Sequence, residues 1–141
     1  MDFSTSVKTC LFQKYVTFSG RATRSEFWFF YLFVSVPTIG LSIIFGTQAD
    51  SMPWIINALL TIFNLAVFLP FLSVTVRRLH DIGKSGWWQL IILVPLIGVI
   101  LLIVWLVTKS EAADNRFGPT PNKNQGPDPV SHSAKINLTK Q

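Results

Sequence analysis

Charge is scarce in this chain. Asp, Glu, Lys and Arg make up 13% of its residues, against about 25% in ordinary soluble domains. The scarcity is also uneven. Residues 27–45, 53–76 and 87–107 carry no charge at all, and only Asp50 lies between the first two runs. Each run is about 19 to 24 residues long, enough to cross a hydrocarbon core of about 30 Å as a helix rising about 1.5 Å per residue. Water gives no reason to keep charge out of three such runs, whereas lipid does. The expected class is an all-α integral membrane protein.

Cysteine and histidine are nearly absent too. Cys10 is alone, which excludes an intramolecular disulfide and a cysteine metal site. His80 and His132 are the only histidines, so an all-protein zinc site is not expected either. No nucleophile–base pair stands out, so neither catalysis nor a cofactor is expected. At 141 residues the chain allows one domain and leaves no room for a separate soluble catalytic one. The first apolar run exceeds the 7–15 residues or so of a signal-peptide core. Although Thr47-Gln48-Ala49 faintly resembles a cleavage site, an uncleaved anchor is expected.

Twelve Lys and Arg against seven Asp and Glu give a net charge of +5. Lys8, Lys14, Arg21 and Arg24, then Arg77, Arg78 and Lys84, sit in two short segments abutting apolar runs. That is the distribution of membrane flanks facing an anionic leaflet, not of a nucleic-acid surface.

Residues 1–23 form the expected interfacial segment. Phe3, Val7, Leu11, Tyr15 and Phe18 recur at helical spacing, with Lys8 and Lys14 elsewhere on the wheel. Ser19-Gly20 breaks that helix, and Thr23-Arg24-Ser25-Glu26 is a capping box that starts the first spanning helix near Arg24. Residues 24–108 then hold three spans, about 27–45, 53–76 and 87–107. Trp28, Trp54, Trp87, Trp88 and Trp105 all fall at span ends, where indoles favour the membrane interface.

Counting Lys and Arg puts the N-terminus and loop 77–86 in the cytoplasm and, with three spans, the C-terminus outside. A third segment hinged at Pro95–Gly98 and re-entering the membrane is the alternative, and returns the tail to the inside. Residues 109–141 are a polar tail, with disorder expected over 119–141 from the density of Pro, Gly, Asn and Ser.

Inside the spans, Ser35, Thr38 and Ser42 share one face of the first, and Asn57, Thr61 and Asn64 one face of the second. Such stripes are expected as polar contacts between helices, or else as a solute path. The densest chemistry is Arg77-Arg78-Leu79-His80-Asp81-Ile82-Gly83-Lys84-Ser85-Gly86. Arg77 and Asp81 are spaced to pair on a helix, Gly83 can supply a left-handed cap, and Gly86 a sharp turn. Arg21, Arg24 and Glu26 fall at the same depth, so the two basic segments are expected to face each other.

Four readings are open for this cluster: a topology signal with a capped turn, a site for anionic headgroups or small anions, a dock for a partner protein, and catalysis by His80-Asp81. The last is disfavoured because adjacent helical residues point about 100° apart. Gly83-Lys84-Ser85 resembles the end of a phosphate-binding loop, yet position 78, where that loop needs glycine, is Arg78.

Phe18–Trp28, Arg77–Trp88 and Asn115-Arg116-Phe117-Gly118-Pro119 resemble, in order, the signature segments of the family called domain of unknown function 805. The resemblance covers about residue 8 to Pro121. It implies a small multi-pass protein of the bacterial inner membrane, and no reaction, substrate or ligand. It also implies that the Arg24/Glu26 region and the Arg77–Gly86 loop form one site. Partners expected are the bilayer with its anionic lipids and a second copy or another membrane protein. The leading functional expectation is a non-enzymatic membrane protein that binds headgroups or a partner there; the alternative is a small oligomeric transporter or transporter subunit.

Overall fold

The computed structural model describes residues 2–45 and 53–121. The lysine- and arginine-free loop 46–52 and the tail from 122 onward, with most of its expected disorder, lie outside the described residues.

Two helices are long enough to span a bilayer. α2 covers Arg24–Phe45, 22 residues, and α3 covers Trp54–Asp81, 28 residues, or about 33 and 42 Å at 1.5 Å per residue. α2 starts where its capping signal places it: Thr23 Oγ1 accepts from the Glu26 N–H at 3.1 Å. The Glu26 side chain does not complete the box, because Arg77 claims it. α3 runs five residues past the apolar run and closes at Gly83, where its cap was expected. There φ is +71°, and the Lys84 N–H reaches back to Leu79 O at 3.0 Å.

Their outer faces are apolar and bare: Trp54, Ile43, Ile44 and Leu65 are 81, 77, 73 and 70% exposed. Such a surface is stable only against lipid. The two helices meet through aromatic pairs, Phe33 with Phe63 at 5.8 Å and Phe27 with Phe71 at 6.2 Å.

The third apolar run is not one helix, which corrects the expectation of three spans. A 3₁₀ segment, Gly86–Leu93, leads to a turn and then to α4, Ile97–Val107. With 11 residues, α4 is about 16 Å long and falls well short of the hydrocarbon core. Trp88 and Trp105, near opposite ends of the run, touch edge to face at 5.5 Å, so the halves form a hairpin. Pro95 holds Val94 extended (φ −90°, ψ 103°), and Leu96 turns with φ +64°. Gly98 then lies so close to the opposing segment that a Cβ would sit 1.7 Å from Ile91 O. Pro95 and Gly98 are therefore where the run folds back.

The hairpin returns the tail to the end of the bundle that holds Arg21. The Glu111 N–H donates to Asp81 O at 3.1 Å, and Asn115 Nδ2 to His80 O at 2.9 Å. The placement of the C-terminal segment opposite the N-terminal one is corrected accordingly for residues 109–121.

The N-terminal segment also departs from a single amphipathic helix. α1, Phe3–Lys8, widens into a π-turn over Thr9–Gln13 and stops at Lys14. Its inward face is Ser6, Thr9 and Cys10, while Phe3, Tyr15 and Phe18 of the apolar stripe point outward. The neighbour within the protein is polar, so the stripe is left to the lipid side. Ser73 Oγ donates to Thr17 O at 2.6 Å, and the Tyr15 hydroxyl donates to Ala66 O, fixing the segment along α3. Gly86 contributes no left-handed turn. Its role is a close approach, since a Cβ there would lie 2.5 Å from Val76 Cγ1.

Two outcomes follow from the hairpin. Gly98→Ala is expected to lower stability by about 3 kcal/mol, the upper range for overpacking, because the obstructing atom is backbone; unfolding in lipid–detergent micelles measures it. Single cysteines introduced by Thr5→Cys and by Thr120→Cys, each in a Cys10→Ser background, are expected to react with an impermeant maleimide from the same side of the membrane. Labelling from opposite sides would restore a third crossing.

Candidate functional site at the basic end of the bundle

The last turns of α3 place consecutive arginines on different neighbours, since adjacent helical residues diverge by about 100°. Arg77 points toward α1 and α2. Its Nη1 donates to Glu26 Oε1 at 2.5 Å, and its Nη2 lies 3.9 Å from Cys10 Sγ. Arg78 points toward α4, where Nε donates to Leu106 O at 3.0 Å and Nη2 to Thr108 O. These are carbonyls at the C-terminal end of a helix, without partners in their own helix and carrying partial negative charge. Arg24 adds a bond to Val107 O at 3.3 Å. Two arginines therefore cap α4.

Asp81 is shared. Arg78 Nη1 donates to its Oδ2, and Arg21 Nε to its Oδ1 at 2.9 Å. The expected Arg77–Asp81 pair is therefore corrected: Arg77 is turned to Glu26, and the i, i+3 neighbour Arg78 takes the carboxylate. Arg21 spends its other donors on Asp81 O at 3.2 Å, Glu111 O at 2.6 Å and Ala113 O at 2.8 Å, which straps the tail down. All five ionic groups, Arg21, Glu26, Arg77, Arg78 and Asp81, are buried. Only Arg77 Nε lacks a partner among them.

His80 faces the tail and not its sequence neighbour. Its ring stacks on Phe117 at 3.9 Å with 3° between the planes, and Nδ1 lies 3.2 Å from Gly20 O. Asp81 is committed to the two arginines, so the pair does not form a catalytic dyad. Lys84 sits over the Trp105 ring at 4.5 Å and the Trp88 ring at 5.9 Å, at the mouth of the hairpin. All eight residues expected at the site are thus brought to one end of the bundle.

Several participants were not expected there. Cys10 lies against Glu26 and Arg77; burial first, then the Glu26 carboxylate, pushes its thiol up to about 11. Glu111 and Asn115 hold the tail, with Asn115 Nδ2 on Glu111 Oε2 at 2.6 Å. Arg116 rests over Phe117 at 4.6 Å. The Asn115-Arg116-Phe117-Gly118 segment carried the signal, but nothing in its spacing tied it to His80.

The two polar stripes lie elsewhere and do not cross between helices as expected. Thr38 Oγ1 donates to Val34 O, Ser42 Oγ to Thr38 O, Thr61 Oγ1 to Asn57 O and Asn64 Nδ2 to Leu60 O, all within their own helix. Ser35 Oγ reaches Leu32 O at 3.5 Å. A hydroxyl or short amide can satisfy itself on the preceding turn, so no partner helix is required for the donor.

A cavity of about 360 Å³ opens beside the ion pairs. It lies between the start of α2 and the returning tail, lined by Thr23, Arg24, Ser25, Lys109, Ser110 and Glu111 among others.

Asp81→Ala leaves two buried guanidinium groups short of a counter-charge, and is expected to destabilise the protein by about 3–5 kcal/mol. Unfolding in mixed micelles reads this. For Cys10, a raised pKa means that little thiolate exists near neutral pH. Maleimide labelling of Cys10 near neutral pH should therefore run about a hundredfold slower than at the exposed cysteine of a Thr5→Cys variant, and should accelerate as pH rises toward 11.

The family model described as "Protein of unknown function (DUF805)" matches residues 15–119, which include every arginine of this cluster and the tail that it holds. The chain is 40% identical to Inner membrane protein YhaH of Escherichia coli (strain K12) over 112 residues, 77% of this chain and 90% of that protein. It is 38% identical over 109 residues to Inner membrane protein YhaI of the same strain, 77% of this chain and 89% of the relative. Uncharacterized protein YiiR of that strain is 31% identical over 106 residues, 74% of this chain and 68% of the relative. No solved structure matches the chain significantly. With its apolar helices and its buried arginine cluster inside the matched segment, this chain belongs to the DUF805 family, in which its relatives YhaH and YhaI are inner membrane proteins.

Proposed function

We propose that this is a non-enzymatic inner-membrane protein that holds the phosphate of an anionic lipid at its cytoplasmic end. The observation that carries the reading is the division of labour among the cations. Arg21, Arg77 and Arg78 are buried and occupied by internal partners. Arg24 and Lys109 are exposed and line a cavity of about 360 Å³ together with the hydroxyls of Thr23, Ser25 and Ser110.

Two cations and three hydroxyls suit a phosphate diester, and the first turn of α2 adds its positive dipole end. Glu111 on the rim is already engaged by Asn115, which reduces its repulsion of an anion. The described lysines and arginines lie toward this end, so the positive-inside rule supports a cytoplasmic location for the N-terminus, the 77–86 loop and residues 109–121 together.

The transporter reading has less behind it. α2 and α3 touch through phenyl rings, and the polar stripes do not line a passage between them in one copy.

Replacing Arg77 or Arg78 would unseat the fold, so the informative variant is Arg24→Ala with Lys109→Ala. In native mass spectrometry from phosphatidylglycerol nanodiscs, wild type is expected to retain bound lipid and the double variant to lose it about tenfold, with melting in a neutral detergent lowered only by the loss of the exposed Arg24 bond to Val107 O. Equal retention by both proteins would sink the proposal.

A further inference from the structure

We infer that two copies of this chain associate in the membrane, α3 against α3, through Asn57, Thr61 and Asn64. These residues occupy i, i+4 and i+7 of α3, all exposed, on a face about 90° around the helix from the one that meets α2. Phe68 continues the same face and is exposed too. Asn64 lies near the middle of the hydrophobic stretch, where lipid offers it no hydrogen-bond partner. Its amide nitrogen is used on Leu60 O, and among the described residues no donor reaches its carbonyl oxygen.

The occupant follows from symmetry and chemistry. The described basic residues gather at one end of the bundle, so every copy inserts with the same orientation. Two copies then meet with parallel α3 helices, and a two-fold axis along the membrane normal sets each residue opposite its own duplicate at the same depth. Asparagine is self-complementary, since an amide donates and accepts. Asn57 meets Asn57 and Asn64 meets Asn64, about 10 Å apart along the axis, with Thr61 between them. A different partner would need matching polar groups at both depths. Single asparagines at buried positions between parallel helices are a known means of fixing register and pairing.

The test uses the full chain in its own membranes. Asn64→Cys in a Cys10→Ser background is expected to form an oxidant-induced adduct of twice the chain mass, whereas Leu59→Cys, exposed on the far side of α3, does not. Independently, Asn57→Leu with Asn64→Leu keeps the helix apolar and insertable, and is expected to raise the dissociation constant, measured by fluorescence transfer in liposomes, about tenfold. Three results overturn the inference: a wild-type protein that is monomeric in liposomes, an adduct of the Asn64→Cys variant whose mass is not twice the chain's, or equal crosslinking by the Leu59→Cys and Asn64→Cys variants.

Discussion

Three guanidinium groups lie buried with only two carboxylates, and the rest of the structure is arranged to answer them. Arg21, Arg77 and Arg78 share Glu26 and Asp81. Each guanidinium carries five donors, so three of them together offer more than two carboxylates can accept. The surplus goes to backbone oxygens of Leu106, Thr108, Glu111 and Ala113. Those carbonyls exist at this end only because the third apolar run folds back and the tail follows it. Hairpin, strap and ion pairs are thus one construction, and removing any part leaves charge or carbonyl unmatched in a place closed to water.

This inverts the usual arrangement of a soluble domain. The buried core of the basic end is ionic, edged by Phe27, Phe30, Val74 and Leu79, while the bulk of the apolar surface faces outward. The N-terminal segment obeys the same inversion. Ser6, Thr9 and Cys10 are turned inward, Cys10 against Arg77, while Phe3, Tyr15 and Phe18 are exposed. Hydrogen bonding within single helices satisfies most polar groups of the membrane portion, and the exposed carbonyl oxygen of Asn64 stands out against that rule.

Much of this was legible from residues alone. Thr23 as a cap, Gly83 as a left-handed stop and the first two apolar runs as helices all rest on local chemistry, which sequence reports directly, whereas the N-terminal helix ends at Lys14, ahead of the expected break at Ser19-Gly20. The gathering of the site followed from depth, because both basic segments abut the same side of the spans. What sequence did not resolve was choice among equals. Asp81 is within reach of both Arg77 and Arg78, and the decision depends on Glu26 lying across the groove. The run 87–107 has the composition of a span. Pro95 and Gly98 mark a hinge, but the carbonyl-seeking Arg78 that fixes its closed form lies on another helix. Similarly, the inward turn of Cys10 depends on Arg77, 67 residues away in sequence.

The capping of α4 by α3 sets an order of events during synthesis. Arg78 leaves the ribosome about 30 residues before Thr108, the carbonyl it finally holds. Through that interval the arginines lack the main-chain carbonyls that finally hold them. The ionic core is sealed from behind, by a segment that emerges after it. Maturation of this protein is therefore complete only when carbonyls made late reach charges made early.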